Sequence, residues 1–284
     1  MKKVLVTGAH GFIGRAMAEG LRAAGFAVTG LVRRPWREPE AELSLLLHDL
    51  QFPLSCDERF DLVVHAAASL PYARPGAEGY IRDNVDATRN LRDFMLRTAV
   101  PRVIYLSSIG VYGDMAGRTI SENSERIQPD MYGMTKYMGE VLLGEAEGIS
   151  CLSLRMPGVV GKGAKGVWLA ELAGALARNE PVSIFSPDFV SPNFVHVDDL
   201  AAFVVHLAGM EDSPQGAIVL ACHTGARIGD IVTRIRQRLG SSSPIRQAQG
   251  RPFCLDASLA KACGYSSKNP LEIVDAYCKD LAEK

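Results

Sequence analysis

The sequence predicts an α/β protein built on a Rossmann-like, doubly wound parallel sheet, followed by a smaller C-terminal substrate lobe. Short apolar strands alternate with helices through the first half, which is typical of a parallel sheet with helices on both faces. A glycine-rich turn directly follows the first strand, and many prolines interrupt the second half. We expect a nucleotide-binding domain over residues 1–157 and a substrate-binding lobe over 158–284, with part of the chain returning to the main sheet.

The composition excludes several classes of function. The 284 residues carry 31 Lys and Arg against 32 Asp and Glu, so no net basicity favours nucleic acid or an anionic membrane. The six cysteines form no Cys-x-x-Cys pair and the six histidines show no ligand spacing, so we expect no metal site. No apolar run is long enough to span a bilayer and no signal-like segment precedes the first strand, so we expect a cytoplasmic protein.

The first strand and the glycines after it predict a dinucleotide site. Residues 4–6 form a short apolar run, and Gly8, Gly11 and Gly14 follow before apolar residues recur at helical spacing. A helix that begins inside a glycine turn presents free backbone N–H groups, which favour a phosphate. Gly8 permits the turn, Gly11 permits close approach of a pyrophosphate, and Gly14 permits tight packing of helix on strand. The alternative is a glycine-rich turn of another α/β protein.

The remaining pattern places further elements along the chain. Strands are predicted at 27–32, 43–47, 61–65, 103–107 and 151–156. Helices are predicted at 80–99 and 132–147, and in the lobe at 167–178, 198–209, 228–239 and 271–282. Sites in such sheets lie beyond the carboxyl ends of the strands. We therefore expect one rim to contain Gly8, Arg33, Asp49, Ala66, Ser108 and Pro157.

Tyr132 and Lys136 are candidates for acid–base chemistry. Four residues apart on a helix, their side chains share one face. A nearby cation lowers the pKa of a phenol, which is about 10 in isolation. Such a pair can exchange a proton with a substrate oxygen while a hydride moves to or from a nicotinamide. The alternative is an ordinary Tyr and Lys on the surface of an amphipathic helix.

With these residues in place, the chain resembles the extended short-chain dehydrogenases/reductases, in the NAD(P)-dependent epimerase/dehydratase group that mostly acts on nucleotide sugars. The resemblance covers nearly the whole chain. It depends on the glycine motif at 7–14, the Tyr132–Lys136 pair, and the segments 48–50, 65–68, 84–91, 106–113 and 193–201.

The resemblance implies a role for each matching residue. Tyr132 is the general acid/base, Lys136 lowers its pKa and holds the nicotinamide ribose, and Ser108 hydrogen-bonds the reacting oxygen. Together with Tyr132 and Lys136, the implied cofactor-binding residues are Gly8, His10, Gly11, Phe12, Ile13, Arg33, Arg34, Asp49, Leu50, Ala66, Ala67, Ala68, Asn84, Ser107, Pro157 and Val159. The implied substrate contacts are Ser69, Ser108, Ile109, Phe194 and Arg251.

Departures from the family pattern bear on the cofactor and the reaction. Arg33 and Arg34 stand where NAD-binding members usually carry an acidic residue, so a 2′-phosphate is favoured and we expect NADP(H). A solvated basic pair is the alternative, with Glu38 or Asp49 as the ribose partner and NAD as the cofactor. Ile109-Gly110 replaces the Asp-Glu pair of the dehydratases, which argues against dehydration.

Further departures bear on the substrate. Ser191-Pro192-Asn193 stands where many members have an Arg that touches the nucleotide base. Arg251 resembles the start of a pyrophosphate-binding motif, although an exposed loop Arg is an equal alternative.

Our leading hypothesis is NADP(H)-dependent reduction of a keto group on a sugar, a nucleotide-linked 4-keto sugar, with Tyr132 as proton donor. An NAD-dependent nucleotide-sugar epimerase is the alternative enzyme, and a non-catalytic NADP sensor is a third hypothesis, against which the intact Ser108, Tyr132 and Lys136 argue. The resemblance also implies a homodimer formed by the helices at 80–99 and 132–147. The candidate contacts there are Ala87, Val141 and Leu142.

Some polar and aromatic residues receive structural interpretations. We expect His196 and His223 to be satisfied structural groups and Asp198 and Asp199 to cap a helix. Trp168 is expected to pack inside the lobe together with Leu169 and Leu172.

Overall fold

The computed structural model describes residues 1–35, 43–74, 76–191 and 193–282. Within this part of the chain the strands are β1 Lys3–Thr7, β2 Ala27–Val32, β3 Ser44–Leu47, β4 Leu62–His65, β5 Arg102–Ser108, β6 Thr119–Ile120, β7 Ser150–Met156, β8 Gly158–Val160, β9 Val182–Phe185, β10 Val190–Ser191, β11 Phe194–His196, β12 Gly216–Val219, β13 Ala226–Arg227, β14 Ile245–Ala248 and β15 Cys254–Leu255.

The helices lie between these strands. They are α1 Phe12–Ala23, α2 Gly76–Tyr80, α3 Ala87–Arg97, α4 Met131–Gly144, α5 Trp168–Ala177, α6 Val197–Gly209, α7 Ile228–Arg238, α8 Ser258–Ala262 and α9 Pro270–Ala282. Two short 3-10 turns, Pro71–Ala73 and Ile109–Tyr112, and one π-helical segment, Ile81–Asp86, complete the list.

Seven strands form the main sheet in the order β12-β7-β5-β4-β1-β2-β3. β1 pairs in parallel with both β2 and β4, and the pairs β2–β3 and β4–β5 are also parallel. The strand order therefore reverses direction at β1, between β2 and β4. That reversal is the switch point at which doubly wound sheets bind nucleotides, and the predicted α/β fold is confirmed.

The chain divides into two compact units. The first comprises residues 1–113, 128–155 and 201–218, and the second comprises 114–127, 156–200 and 219–284. Because the chain passes between the units more than once, the cut predicted near residue 157 describes only part of this division.

Each unit has an apolar core of its own. In the first unit, Leu5 and Leu31 from the sheet pack with Leu91 and Phe94 of α3. In the second unit, helices α5, α7 and α9 supply most of the core, including Leu172, Ile235 and Ile273. The two-stranded pairs β8–β11, β9–β14, β6–β15 and β10–β13 belong to this second unit.

One predicted helix is wrong in detail. The stretch 80–99 is a continuous helix in the sequence pattern, but the structure begins at Gly76 and widens to a π segment over Ile81–Asp86 before α3 begins at Ala87. Apolar spacing does not distinguish an α turn from a single wide turn, which is common at functional sites. The predicted ends of most other elements differ by one to three residues, and 27–32 is reproduced as β2.

Candidate active site

The glycine turn after β1 closes tightly over the sheet. Gly8 adopts φ +66°, and a Cβ built there would lie 2.8 Å from Cα of Ala67, so a side chain at this position would be strained and would collide with backbone. The Gly8 N–H donates to the carbonyl of Leu31 at 3.1 Å, and the Gly11 N–H donates to the carbonyl of Gly8 at 2.8 Å.

The glycine turn leads directly into α1. Gly11 is the N-cap of α1 and has no side chain that could accept from the first turn. The backbone N–H groups of that turn are therefore left for an anion. His10 precedes Gly11, and Phe12 and Ile13 are the first two residues of α1, so this cradle fits a dinucleotide pyrophosphate.

The ends of β2 and β3 form a rim of mixed charge in the first unit. Arg33 and Arg34 are exposed directly after β2, and Asp49 and the buried Leu50 follow β3. Burial alone would raise the pKa of Asp83, but hydrogen bonds from Ser69 and Arg82 and the charge of Arg33 lower it. Arg33 therefore acts on Asp83 at longer range, while Arg82 is the direct ion-pair partner of Asp83. Glu38, the other predicted ribose partner, lies outside the described residues.

Tyr132 and Ser108 are brought together at the end of β5. Ser108 is the N-cap of the 3-10 turn Ile109–Tyr112 and accepts from the Gly110 N–H at 3.0 Å. Asp130 caps α4 by accepting from the Gly133 N–H at 2.7 Å, which fixes the first turn that carries Tyr132. The Ser108 side chain also acts on Tyr132, because it lowers the pKa of the Tyr132 phenol.

The pKa of Tyr132 moves opposite to the sequence expectation. Burial raises this pKa to about 12, and the Ser108 side chain lowers it only in part. The expected lowering by Lys136 is not found, because removal of the phenolate from water outweighs its attractive contacts. Tyr132 is therefore a protonated phenol at neutral pH, poised to donate a proton.

Lys136 is buried below Tyr132, with 2% of its surface exposed. Its Nζ lies 4.0 Å from the centroid of the Tyr105 ring, a cation–π contact. Burial lowers the pKa of Lys136 to about 7, and the charge of Glu140 opposes this shift. A side chain at Gly139 would overlap the Tyr105 hydroxyl group, so a glycine is needed for this ring to lie beneath the helix.

A line of hydrogen bonds begins at the glycine turn and crosses the sheet. The Ala67 N–H donates to Thr7 Oγ1 at 3.1 Å, and Thr7 Oγ1 lies 2.7 Å from Nδ1 of His65. Nε2 of His65 lies 2.9 Å from Thr88 Oγ1, which donates to the Asn84 carbonyl at 2.6 Å. Because Thr88 Oγ1 already donates to Asn84, it accepts from Nε2 of His65, which assigns the ring proton to Nε2. Burial lowers the pKa of His65 to about 3, so the ring is neutral.

Asn84 extends this series of hydrogen bonds to α4, the helix that contains Tyr132 and Lys136. Its Nδ2 donates to Thr135 Oγ1 at 3.0 Å, and Thr135 donates to the Tyr132 carbonyl at 2.9 Å. Its Oδ1 accepts from the Ser69 N–H at 2.7 Å, and the π segment places it there. Asn84 therefore supports the active site through Thr135 and Ser69, and its buried side chain is fully engaged within the protein.

Other residues implied by the resemblance lie at different positions in the first unit. Ala66, Ala67 and Ala68 follow β4 as half-buried backbone beside the glycine turn, and Ile109 opens the 3-10 turn after Ser108. The hydroxyl of Ser107 is directed away from this surface and donates to Glu140 at 2.5 Å.

Four of the implied residues belong to the second unit. Pro157 directly follows β7 and is buried, and Val159 lies within β8. Phe194 packs in the core of this unit, and its expected contact with a substrate stays a prediction. Arg251 is exposed and donates to the Ala116 carbonyl at 3.3 Å.

The late histidines and aspartates take local roles in the second unit. Nδ1 of His196 accepts from the Asp198 N–H at 3.2 Å, and Asp199 accepts from Lys268 Nζ at 2.6 Å. The two aspartates lie in the first turn of α6. His223 is exposed and contacts the edge of the Tyr265 ring.

The interpretation of Trp168 as lobe packing is wrong. Its side chain is 47% exposed at the first position of α5, whereas Leu169 and Leu172 are buried as expected. A first-turn residue lies at the end of the apolar face, so its burial does not follow from helical spacing.

Sequence reasoning missed the polar residues that support the site from below. Glu140, Arg155 and Tyr112 form a buried hydrogen-bonded cluster. One signal was available, since an Arg within an apolar strand predicts a buried acidic partner.

Two absences hold for the residues that the structure describes. No group of three or more His, Cys, Asp or Glu side chains there is arranged to hold a metal ion. None of the helices in the same ranges has the length and apolar character needed to cross a membrane.

Comparisons with known proteins agree on one family. The model of the NAD dependent epimerase/dehydratase family matches residues 4–221. A UDP-glucose 4-epimerase of Azospirillum brasilense is 29% identical over 283 aligned positions, 88% of this chain and 81% of that protein. A dTDP-6-deoxy-L-talose 4-dehydrogenase (NAD(P)(+)) of Kitasatospora kifunensis is 30% identical, covering 75% of this chain and 71% of that protein.

A solved structure is similar over almost the whole chain. MoeE5 in complex with UDP-glucose and NAD superposes with a TM-score of 0.81 at 26% identity, covering 99% of this chain and 98% of that one. The UDP-glucuronic acid 4-epimerase of Bacillus cereus in complex with NAD, at 21% identity and a TM-score of 0.82, shares the fold over 99% of both chains.

Proposed function

Because the chain belongs to the NAD dependent epimerase/dehydratase family, we propose that it is an NAD-dependent epimerase that inverts a sugar hydroxyl, at C4, on a UDP-linked sugar. The observation that carries this proposal is the set formed by Ser108 at the carboxyl end of β5 and by Tyr132 and Lys136 in the first two turns of α4, in which Lys136 is buried and the other two are half-buried. The UDP-glucose 4-epimerase of Azospirillum brasilense and the UDP-glucose and NAD of the MoeE5 complex support the choice of substrate and cofactor.

The cofactor fits the residues of the first unit. The cradle formed by Gly8, Gly11 and the start of α1 suits a pyrophosphate, and Asp49 at the end of β3 is available to an adenosine ribose. Lys136, below Tyr132, is the residue that would hold the nicotinamide ribose. When bound, NAD supplies a hydride acceptor that also returns the hydride.

Ser108 and Tyr132 handle the proton at the reacting oxygen. Oxidation of the hydroxyl carbon requires Tyr132 as the phenolate, so the phenol proton, which burial retains at neutral pH, has to leave to solvent before Tyr132 takes the proton from the substrate oxygen. Ser108 donates a hydrogen bond to the same oxygen. As the keto group is reduced again, Tyr132 returns that proton. For inversion, the hydride has to reach the opposite face of the keto carbon. The keto intermediate therefore has to rotate within the site and present that face before the hydride returns.

Nucleotide analysis and product analysis together test this proposal. The purified protein is denatured and the released nucleotide identified, and then UDP-glucose or UDP-galactose is supplied without added cofactor. We expect bound NAD and interconversion of the two sugars with no net change in reduced cofactor. An empty protein that consumes NADPH stoichiometrically with a 4-keto sugar nucleotide would contradict it.

The reductase remains a second candidate because of one observation. Arg33 and Arg34 are exposed after β2 and suit a 2′-phosphate, and the related 4-dehydrogenase of Kitasatospora kifunensis is named for use of either cofactor. Against this, the MoeE5 structure that is similar over almost the whole chain contains NAD. Net oxidation or reduction of a nucleotide-linked sugar at C4 would identify this second function.

A further inference from the structure

A buried ion pair lies beneath the catalytic residues of the first unit. Nη2 of Arg155 lies 2.7 Å from Oε2 of Glu140, and Nε of Arg155 lies 3.0 Å from Oε1. The two side chains are only 5% and 8% exposed. A two-point contact between fully desolvated charges fixes geometry more strongly than a surface pair.

The pair is connected to the segment that carries Ser108. Oε1 of Glu140 accepts from the Ser107 hydroxyl at 2.5 Å, and Nη1 of Arg155 donates to the Tyr112 hydroxyl at 2.7 Å. Ser107 immediately precedes Ser108, and Tyr112 ends the 3-10 turn that Ser108 caps. The cluster therefore joins β5, this turn, α4 and β7 at one point.

Glu140 also lies one helical turn after Lys136 on α4, so both side chains share a face. Its negative charge opposes the effect of burial on Lys136. Among the described residues, His65 of β4 and Tyr105 of β5 also face Lys136, and Tyr132 lies one turn before it on α4. Cys151 and Arg155 of β7 lie beside Glu140. Burial lowers the pKa of His65 and raises the pKa values of the two phenols and the thiol, so these four groups supply no negative charge near neutral pH.

We propose that Glu140 is a positioning residue that keeps Lys136 protonated, while Arg155 and Ser107 hold its carboxylate in place for that task. Glu140 acts through Lys136 and contacts neither substrate nor cofactor. The proposal rests on the proposed function only for the role of Lys136 in turnover. The state of Lys136 itself can be measured without substrate.

A purely structural ion pair is the competing explanation, and paired substitutions separate the two. Glu140→Gln leaves the Arg155 charge unbalanced and is expected to destabilise the fold. Glu140→Gln with Arg155→Met removes both charges, so most of the stability returns. Arg155→Met alone keeps the carboxylate beside Lys136.

The measurement is the titration midpoint of Lys136 by NMR of the full chain labelled with carbon-13 at the lysine ε position, assigned with Lys136→Arg. In the double variant we expect the midpoint to fall by about one unit or more, the lower end of what a neighbouring opposite charge produces. Arg155→Met is expected to leave the midpoint unchanged or to raise it. Glu145→Gln, at the exposed end of the same helix, is the matched control and is expected to leave it unchanged.

A wild-type midpoint in the stable double variant would overturn the proposal and assign Glu140 a structural role only. If Glu140→Gln alone does not fold, the double variant still decides the question. Because no substrate is present, failure of this experiment is distinct from failure of the epimerase assignment.

Discussion

The catalytic end and the adenosine rim of the expected cofactor site differ in how firmly their side chains are held. Around Lys136 and Tyr132, the side chains of Asn84 and Thr135 are buried and hydrogen-bonded to each other, and burial displaces the pKa values of Tyr132 and Lys136. At the rim, Arg33 and Arg34 are exposed and Asp83 offers an opposite charge. Proton transfer therefore depends on side chains that are held largely away from water. Cofactor choice depends on exposed charges, each of which contributes little to the binding free energy.

The largest effect is expected from removal of the Tyr132 hydroxyl. Tyr132→Phe should lower turnover by roughly 10²–10⁴, the usual contribution of a general acid/base, because only the proton donor is lost. Cofactor affinity, measured by titration calorimetry, should stay near the wild-type value. Tyr137→Phe, the same change on the same helix, is the control. Near wild-type turnover in Tyr132→Phe would refute the assignment.

Replacing Lys136 should move activity and stability in opposite directions. Burial holds the pKa of Lys136 at about 7, below its value near 10.5 when unfolded, so the unfolded chain binds more protons between these values. Lys136→Met should therefore abolish most turnover and weaken cofactor binding while raising the melting temperature. The gain corresponds to a few kcal/mol, at about 1.4 kcal/mol per unit.

This gain depends on pH in a defined direction. It should be largest below pH 7 and shrink as the pH rises from 7 toward 10.5, because the cost of the buried ammonium disappears over that range. Thermal unfolding from pH 6 to 9 measures it, with the exposed Lys165→Met as control. An equal melting temperature at every pH would show that burial of this charge costs little.

A smaller effect is expected at the rim. If Arg33 contacts a 2′-phosphate, the protein should prefer NADPH over NADH by about 1–3 kcal/mol. Arg33→Asp with Arg34→Ser should then reverse the preference without changing the melting temperature appreciably. Equal affinity for the two cofactors in the unmodified protein would instead favour Asp49 as the ribose partner.

The smallest effect in energy is expected for assembly, where the resemblance predicts a homodimer. Of the predicted contacts, Ala87 is buried in the core, whereas Val141 and Leu142 are half-buried on α4. Met134 and Met138 on the same helix are 42% and 47% exposed. We expect Met138→Lys to weaken the dimer in sedimentation experiments, with Leu259→Lys as control. A wild-type monomer at micromolar concentration would exclude the dimer.

The sequence was sufficient for the features that depend on local pattern. The strands of the first half, the glycine turn and the helix that carries Tyr132 and Lys136 all follow from apolar spacing and glycine chemistry. The family followed from the same ordered motifs, and it is confirmed.

Features that depend on distant neighbours could not be predicted in this way. Glu140 and Arg155 lie 15 positions apart on a helix and a strand, and only tertiary packing joins them. The raised pKa of Tyr132 follows from burial, which a reference pKa does not contain. The reductase hypothesis depends on the exposed Arg33 and Arg34 after β2, whereas the family and the related UDP-glucose 4-epimerase favour the epimerase.

The π segment Ile81–Asp86 limits the number of residues in this stretch more strictly than it limits their types. It holds one residue more per turn than an α-helix, and it aims Asn84 at Ser69 and Thr135. Deleting a single residue before Asn84 would rotate that side chain by about 100° relative to the preceding helix. We therefore expect this stretch to accept substitutions at the exposed Ile81 and to reject every insertion or deletion.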